Sequence, residues 1–414
     1  MQGADRGDAV ITSNAPVIPD VSARSRALAT LEDYVLRETP TGASAAITAF
    51  ADALAARYEG LGGTVVLHRT PGGPHVVADF PGRGSGAGAA PVLLIGHSDT
   101  VWPVGTLAGV VPWTTDGSRI TGPGVYDMKS GLVVMEEALE LLRARAATGA
   151  VDHVPVRIIV TADEEIGSPT SGALLLATAE GCSSAIGFES PHPDGDLKVG
   201  RLGSTRLELA VSGVPAHAAL DPEKGVSATE EIIDQLLRVR DIAARATTRA
   251  GERPGTRVLY NLGSITAPGL ANVVADEAAA VLGFRFSDPD IEGEVLDEIE
   301  ALAPIRPRAE VTITRLSYRP AWKPRDADQI LAALISDCDS RLDDNRPGRS
   351  PLGAAPAAGA ADTNLLGASA LGVVDGFGPR GGGAHARSEH IIVDSLWERI
   401  RLLAAVLSAI HLPG

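Results

Sequence analysis

The chain is poor in the residues from which many small or specialised folds are built. Only two of its 414 residues are cysteine, Cys182 and Cys338. That excludes a disulfide framework and a thiolate metal site, and leaves two reduced, partly buried thiols as the expectation. Aromatic residues make up 4% of the sequence, so a core must come from aliphatic and small side chains. No run of Lys and Arg occurs, and the formal net charge is -16; nucleic-acid binders carry a basic patch instead. No apolar run approaches the roughly 20 residues that span a bilayer. The opening residues, MQGADRGDAVITSNAPV, lack the basic segment and apolar core of a secretory signal. A cytoplasmic enzyme that binds neither membrane nor nucleic acid is therefore expected.

What is present is ample apolar material, 44% of a chain long enough for two or three domains. After a loose tail over residues 1–20, the pattern predicts helices near 22–38 and 43–61, then strands at TVVLHR, HVVADF and PVLLIG. PVLLIG is apolar throughout, as a strand buried on both faces is. A helix over 130–147, the strand VPVRIIVTA and a strand at 184–189 follow. This alternation predicts an α/β fold with helices on both faces of a sheet. The grammar then changes. STRLELAVSG alternates like a half-exposed strand, and the order strand, helix (225–246), strand (256–265), strand (278–286), helix (289–303), strand (RAEVTITRL) is the ferredoxin-like split unit. Helices near 326–341 and 394–411 resume the first pattern. The expected organisation is a catalytic domain in two segments, 1–200 and 318–414, interrupted by a smaller domain at 201–317.

In open α/β sheets ligands gather at the carboxyl ends of the strands. PVLLIG is followed by His97, Ser98, Asp99 and Thr100; VRIIVTA by Asp163, Glu164 and Glu165; SAIGF by Glu189. GPGVYDMKSG puts Asp127 in a Gly-rich turn before a helix, and GGGAHARSEH puts His385 in another. Three adjacent acids at the end of a core strand repel one another and raise one another's pKa, so a folding argument alone does not place them there. Imidazoles and carboxylates at strand ends, with little cysteine, are the ligand set of a hydrolytic metal centre.

Taken together, GHSDTV, GPGVYDMKSG, TADEEIGS, FES, VSGVPAHAALDPEKGVSA and GGGAHARSEH resemble the metallopeptidase M20 family, in particular its glutamate carboxypeptidase-like branch. The resemblance implies a zinc-peptidase-like mixed sheet with an inserted ferredoxin-like lid or dimerisation domain. It implies two Zn2+ per chain, with Co2+ or Mn2+ as substitutes. His97 and Glu189 would hold one ion, Glu165 and His385 the other, and Asp127 would bridge them. Asp99 would orient His97, Glu164 would act as general base, and the Asp127–Met128 peptide would be cis. His217 would reach across a homodimer into the partner's site, while Asn272 and Arg285 would grip a substrate carboxylate. The implied activity is hydrolysis of a peptide or N-acyl amino-acid bond beside a free carboxylate, by a glutamate carboxypeptidase or an N-acyl amino-acid amidohydrolase. An aminopeptidase or a non-catalytic binding protein are further alternatives. Asp163 is expected to be a structural strand-end acid and His390 a supporting residue. Lys198 and Arg201 are candidates for reading an acidic side chain. AAGAADTNLLG departs from the family in placing Ala361 where a hydroxyl residue is common.

Overall fold

The computed structural model describes residues 21–147, 151–342 and 351–410. The expected loose tail and the last residue of the expected C-terminal helix lie outside the described residues. Helices α1 (Val21–Leu36) and α2 (Ser44–Gly60) lead into strands β1 (Thr64–His68), β2 (His75–Phe80) and β3 (Val92–His97). Helix α3 (Ser130–Ala147), strand β4 (Val156–Thr161), helix α4 (Gly172–Ala179) and strand β5 (Ser184–Gly187) follow. Then come β6 (Gly203–Ser212), α5 (Ala228–Gly251), β7 (Val258–Thr266), β8 (Glu277–Phe286), α6 (Pro289–Glu300) and β9 (Glu310–Arg319). Helix α7 (Asp326–Leu342), strand β10 (Gly372–Val374) and helix α8 (Val393–Ala409) complete the main elements, with shorter strands between them.

The central sheet is six-stranded and mixed, in the order β1-β2-β4-β3-β5-β10. Strands β4, β3, β5 and β10 run parallel, while β1 and β2 form an antiparallel edge. The uninterrupted apolar run of β3 has a direct cause. Val92 and Leu94 pack with α3 and α8 residues such as Leu132, Leu396 and Leu403. Leu93 and Ile95 pack on the other face with Leu175, Trp322 and Val373. Full burial of each such side chain contributes about 1.5–3 kcal/mol. Both faces are thus covered, and the carboxyl ends of β3, β4 and β5 lie side by side.

The second unit is a four-stranded antiparallel sheet in the order β7-β8-β6-β9, with α5 and α6 on one face. Alternation drives it: Leu207, Leu209 and Val211 of β6 bury against Ile232 and Val239 of α5 and Ile291 and Val295 of α6. The residues between them, including Ser204 and Arg206, take the opposite face. Ser227 caps α5 by accepting from the Glu230 N–H at 3.2 Å, and Asp288 caps α6. The α/β fold with its ferredoxin-like unit is the one expected; α4 and β10 are additions to it. Both cysteines are free and buried.

Leu94 is fully buried, whereas Ile330 on α7 is 70% exposed. Leu94→Ala is expected to lower unfolding free energy by about 2–5 kcal/mol, and Ile330→Ala to change it by less than about 0.5 kcal/mol, both measured by urea denaturation.

Candidate metal centre

The sheet brings the separated sequence motifs to one place. His97 ends β3, Glu164 and Glu165 follow β4, and Glu189 follows β5 by two residues. Gly96 precedes His97 because a Cβ there would meet the Leu132 and Met128 side chains at 2.9 Å. That close approach lets the turn carrying Asp127 pack beneath β3, where the His97 N–H faces Met128 Sδ at 3.0 Å. The Asp127–Met128 peptide is cis, as the resemblance implies.

Asp127 lies between the two histidines. Its Oδ1 is 3.2 Å from His97 Nε2, and its Oδ2 is 3.1 Å from His385 Nε2. Glu189 Oε1 stands 3.4 Å from His97 Nε2, and Glu165 Oε2 stands 3.3 Å from His385 Nε2. Ligand atoms about 2.0–2.1 Å from a tetrahedral cation lie about 3.3 Å from one another, so these separations suit an ion between the groups. Ligand atoms of His97, Glu164 and Glu189, and of His97, Asp127 and Glu165, each fall within 4.8 Å of one another. Glu165 Oε1 is buried without a hydrogen-bond partner, a costly state that a cation would relieve. The donors are nitrogen and oxygen only, which suits zinc and its divalent neighbours.

The local field is strong. Burial disfavours the charged form of His97, yet Asp127, Asp99 and Glu189 outweigh it and raise the imidazole well above its ordinary pKa. Hydrogen bonds to Asp127 and Glu165 push His385 up to about 10. Burial also opposes ionisation of Asp127, but the two histidines hold its pKa well below the usual carboxylate range. Glu164 is pushed well above its usual value by burial, against the pull of Arg319 and His97.

Several expectations are refined by the contacts. Asp99 faces His97 Nδ1 with both its carbonyl and its carboxylate. The closer partner of His97 Nδ1 is the Asp99 carbonyl at 2.9 Å, the carboxylate lying 3.5 Å away. The carboxylate also accepts from the Glu164 and Glu165 N–H groups, both at 3.2 Å, and from Thr41 Oγ1 at 2.8 Å. Asp99 therefore ties the acidic turn to β3. Asp163 anchors the same turn by accepting from the Thr170 N–H at 2.7 Å and from the Thr170 and Ser171 hydroxyls. His75 extends that anchor: its Nδ1 accepts from the Ala162 N–H and its Nε2 meets Thr170 Oγ1 at 2.9 Å.

Arg201 is not available to read a substrate. It is buried and paired with Asp375, Nε to Oδ2 at 2.9 Å, and it donates to the Gly359 carbonyl at 2.6 Å. Asp375 in turn accepts from the Glu189 N–H at 3.3 Å, so this pair positions Glu189. Lys198 differs: its ammonium reaches Ser190 Oγ at 3.4 Å and has no carboxylate partner within 4.0 Å among the described residues. His390 Nδ1 meets the Ser388 carbonyl at 2.8 Å, within its own loop. His217, Asn272 and Arg285 are exposed. His217 Nδ1 accepts from the Ala219 and Leu220 N–H groups, and Arg285 donates to Ser204 Oγ. The cluster thus gathers His97, Asp127, Glu164, Glu165, Glu189 and His385, and leaves His217 and Asn272 apart from it.

Two residues carry parts that sequence reasoning missed. Glu389 is fully buried and accepts from the N–H groups of Gly124, Tyr126 and Asp127 at 2.9–3.1 Å and from Trp102 Nε1 at 2.6 Å, fixing the turn that presents Asp127. Arg319, at the end of β9, donates to Glu164 itself: NH2 lies 2.9 Å from Oε1 and 2.7 Å from the Glu164 carbonyl. The only sequence signal for Glu389 is its position four residues after His385 in the same loop. Arg319 has none.

Known proteins resemble this chain in sequence and in fold. The family described as Peptidase family M20/M25/M40 matches residues 93–409. Carboxypeptidase G2 of Pseudomonas sp. (strain RS-16) is 27% identical over 388 residues, covering 91% of this chain and 88% of that protein. Among solved structures, aminopeptidase PepT from Bacillus cereus ATCC 10987 superposes with a TM-score of 0.68 at 21% identity, over 93% of this chain and 98% of that one. An M20 family metallo-carboxypeptidase, Sso-CP2 from Sulfolobus solfataricus, gives 0.67 at 17% identity, over 92% and 98%.

Imidazoles must lose their protons to ligate a metal. Adding Zn2+ to metal-free protein at pH 7 is therefore expected to release protons, and apparent affinity should weaken as pH falls. Release from His385 should fade as pH rises through about 10. Calorimetry in buffers of different ionisation enthalpy measures this, and binding without proton release would contradict it.

Proposed function

The chain belongs to the peptidase family M20/M25/M40, and from that premise we propose that it is a dizinc exopeptidase. It cleaves a peptide or N-acyl amino-acid bond beside a free carboxylate, with glutamate as the preferred released residue. The observation that carries this reading is the Asp127 carboxylate, which turns one oxygen to His97 and the other to His385 with Glu164 close by. His97, Glu189 and Asp127 would hold one ion; His385, Glu165 and Asp127 would hold the other. Such cations, when bound, act as Lewis acids that acidify water and polarise a carbonyl. Glu164 takes a proton from the attacking water at its carboxylate and delivers it to the leaving nitrogen. The water oxygen bonds to the carbonyl carbon, the carbon–nitrogen bond breaks, and the amine leaves with the proton. Arg285 and Asn272 hold the free carboxylate, a task suited to the planar guanidinium fork, which pairs with both oxygens.

Lys198 supports the glutamate preference. Burial and the neighbouring Arg201 lower its pKa, and its ammonium reaches Ser190, next to Glu189 in the chain, without an ion-pair partner of its own among the described residues. An acidic substrate side chain would supply one. The exposed position of His217 suits action in a partner's site, so the working unit in this reading is a homodimer through the ferredoxin-like unit.

Glu164→Gln is expected to lower kcat by about 10²–10⁴-fold while metal analysis still finds close to two ions per chain. Full activity in that variant would remove the base. N-acyl glutamates should be cleaved with higher kcat/KM than N-acyl aromatic amino acids; the reverse order would favour the amidohydrolase. Amidating the carboxylate of the released residue should abolish turnover, which an aminopeptidase would tolerate. Mixing inactive Glu164→Gln and His217→Ala variants should restore part of the activity through hybrid dimers, and no recovery would confine His217 to its own chain.

A further inference from the structure

Arg319 belongs to the ferredoxin-like sheet, yet its side chain enters the catalytic turn, where it is 11% exposed. A single nitrogen, NH2, reaches four acceptors: Glu164 Oε1 at 2.9 Å, the Glu164 carbonyl at 2.7 Å, Ser168 Oγ at 2.8 Å and Asp362 Oδ1 at 3.0 Å. It therefore grips both the backbone and the carboxylate of one glutamate, which fixes the direction of that side chain. Asp362 is braced in turn by the hydroxyls of Thr161, at 2.9 Å, and Ser168. The turn and the sheet meet closely here as well. Gly167 has a φ of +98°, and a Cβ on it would lie 2.9 Å from Ser317 Cβ.

The sheet register gives this contact a second meaning. Arg319 of β9 and Arg285 of β8 both pair with Ser204 of β6, so the three residues form one rung. Arg285 donates to Ser204 Oγ across that rung. The ladder bonds make the backbones of this rung move together, so a displacement of the sheet carries the bases of both arginines with it. Resting on the reading above, in which Glu164 is the base and Arg285 grips the carboxylate, we propose that Arg319 is a positioning residue that sets the Glu164 carboxylate and couples its placement to seating of the Arg285 rung on substrate. Substrate recognition then acts on the chemical step as well as on binding. A carboxylate that draws Arg285 into place holds Arg319 against Glu164, and the base is aimed only while the ferredoxin-like unit is seated.

Misplacing a reacting group by about 1 Å can cost about 100-fold in rate. Arg319→Ala is therefore expected to lower kcat about 100-fold with KM changed by less than about threefold, metal content and melting temperature being recorded alongside. Added guanidinium or methylguanidinium should recover part of the lost kcat, because a small cation can occupy the vacated place. Since the alanine variant leaves buried acids without their partner, Arg319→Lys serves as a second probe; it should fold, bind metal and retain intermediate kcat. A raised KM with unchanged kcat would make Arg319 a substrate ligand and overturn the proposal. Wild-type kinetics in both variants, or loss that follows metal content with no guanidinium rescue, would also overturn it. Glu164→Gln is run in parallel. If it stays active, the base assignment has failed; if it is inactive while Arg319→Ala is not, only the positioning role has failed.

Discussion

The mutual repulsion of buried carboxylates is the constraint that the rest of the structure serves. Asp127, Glu165 and Glu189 stand 3.1–3.4 Å from His97 or His385, and a Glu164 oxygen lies within 4.8 Å of His97 and Glu189 ligand atoms. Two like charges 4 Å apart cost about 4 kcal/mol at an effective dielectric of 20. Several such pairs would consume the whole margin of an ordinary fold, about 5–15 kcal/mol. Two imidazoles and one guanidinium cannot balance that many acids when they also carry their own desolvation cost. The proposed divalent pair answers the remaining charge, and the separation of the donors matches the room such ions need. The acidity that a net-charge count reads as solubility is in part this cluster.

A second set of acids does a different task. Asp99, Asp163, Asp375 and Glu389 are buried, and each accepts N–H or O–H bonds from the segments that carry the proposed ligands. Charge-assisted bonds of this kind are about twice as strong as neutral ones. They hold irregular turns, which lack the ladder bonds of a strand, in a single geometry. Asp99 joins the turn after β4 to the end of β3; Asp375, itself neutralised by Arg201, holds the segment after β5; Glu389 reaches from the His385 loop to the Asp127 turn. The ligand loops are thereby tied to one another as well as to the sheet, so the spacing of the cluster does not depend on any one loop.

This division explains what could be read from the sequence. His97, the acids after β4 and Glu189 were legible because each stands directly after an apolar run, and the end of a buried parallel strand is a physical address. The long elements were legible for the same reason: their periodicity reports burial, and α3 runs over the residues expected. Helix α4, with eight residues, and β10, with three, are too short to show a period. The supporting acids were illegible because their partners are remote in the chain. Glu389 and Asp127 are 262 residues apart, and Arg319 and Glu164 are 155 apart. Arg201 was open to a substrate role for the same reason, since nothing local reveals that Asp375 neutralises it. Asp99 shows a subtler limit: spacing placed it beside His97 correctly, but which of its oxygens lies closer to the imidazole is a matter of backbone conformation.

A guanidinium against a general base looks self-defeating, because an opposite charge at this range lowers a carboxylate's pKa by about 1–3 units. Here the pull is divided. Arg319 NH2 serves Asp362, Ser168 and the Glu164 carbonyl as well as Oε1, and Asp362 competes for the same charge. Burial acts on Glu164 in the opposite direction and prevails, holding its pKa well above the ordinary value. The contact therefore restrains the side chain without committing the whole guanidinium charge to it. A neutral donor such as Ser or Asn could restrain the side chain, but it would leave two buried acids, Glu164 and Asp362, facing each other without a countercharge. A lone lysine would supply the charge at the end of a flexible stem, whereas the guanidinium nitrogen that makes these contacts is held in a rigid plane. Arginine satisfies both needs, and its place on the ferredoxin-like sheet, on the rung that also carries Arg285, makes the restraint conditional on where that sheet sits.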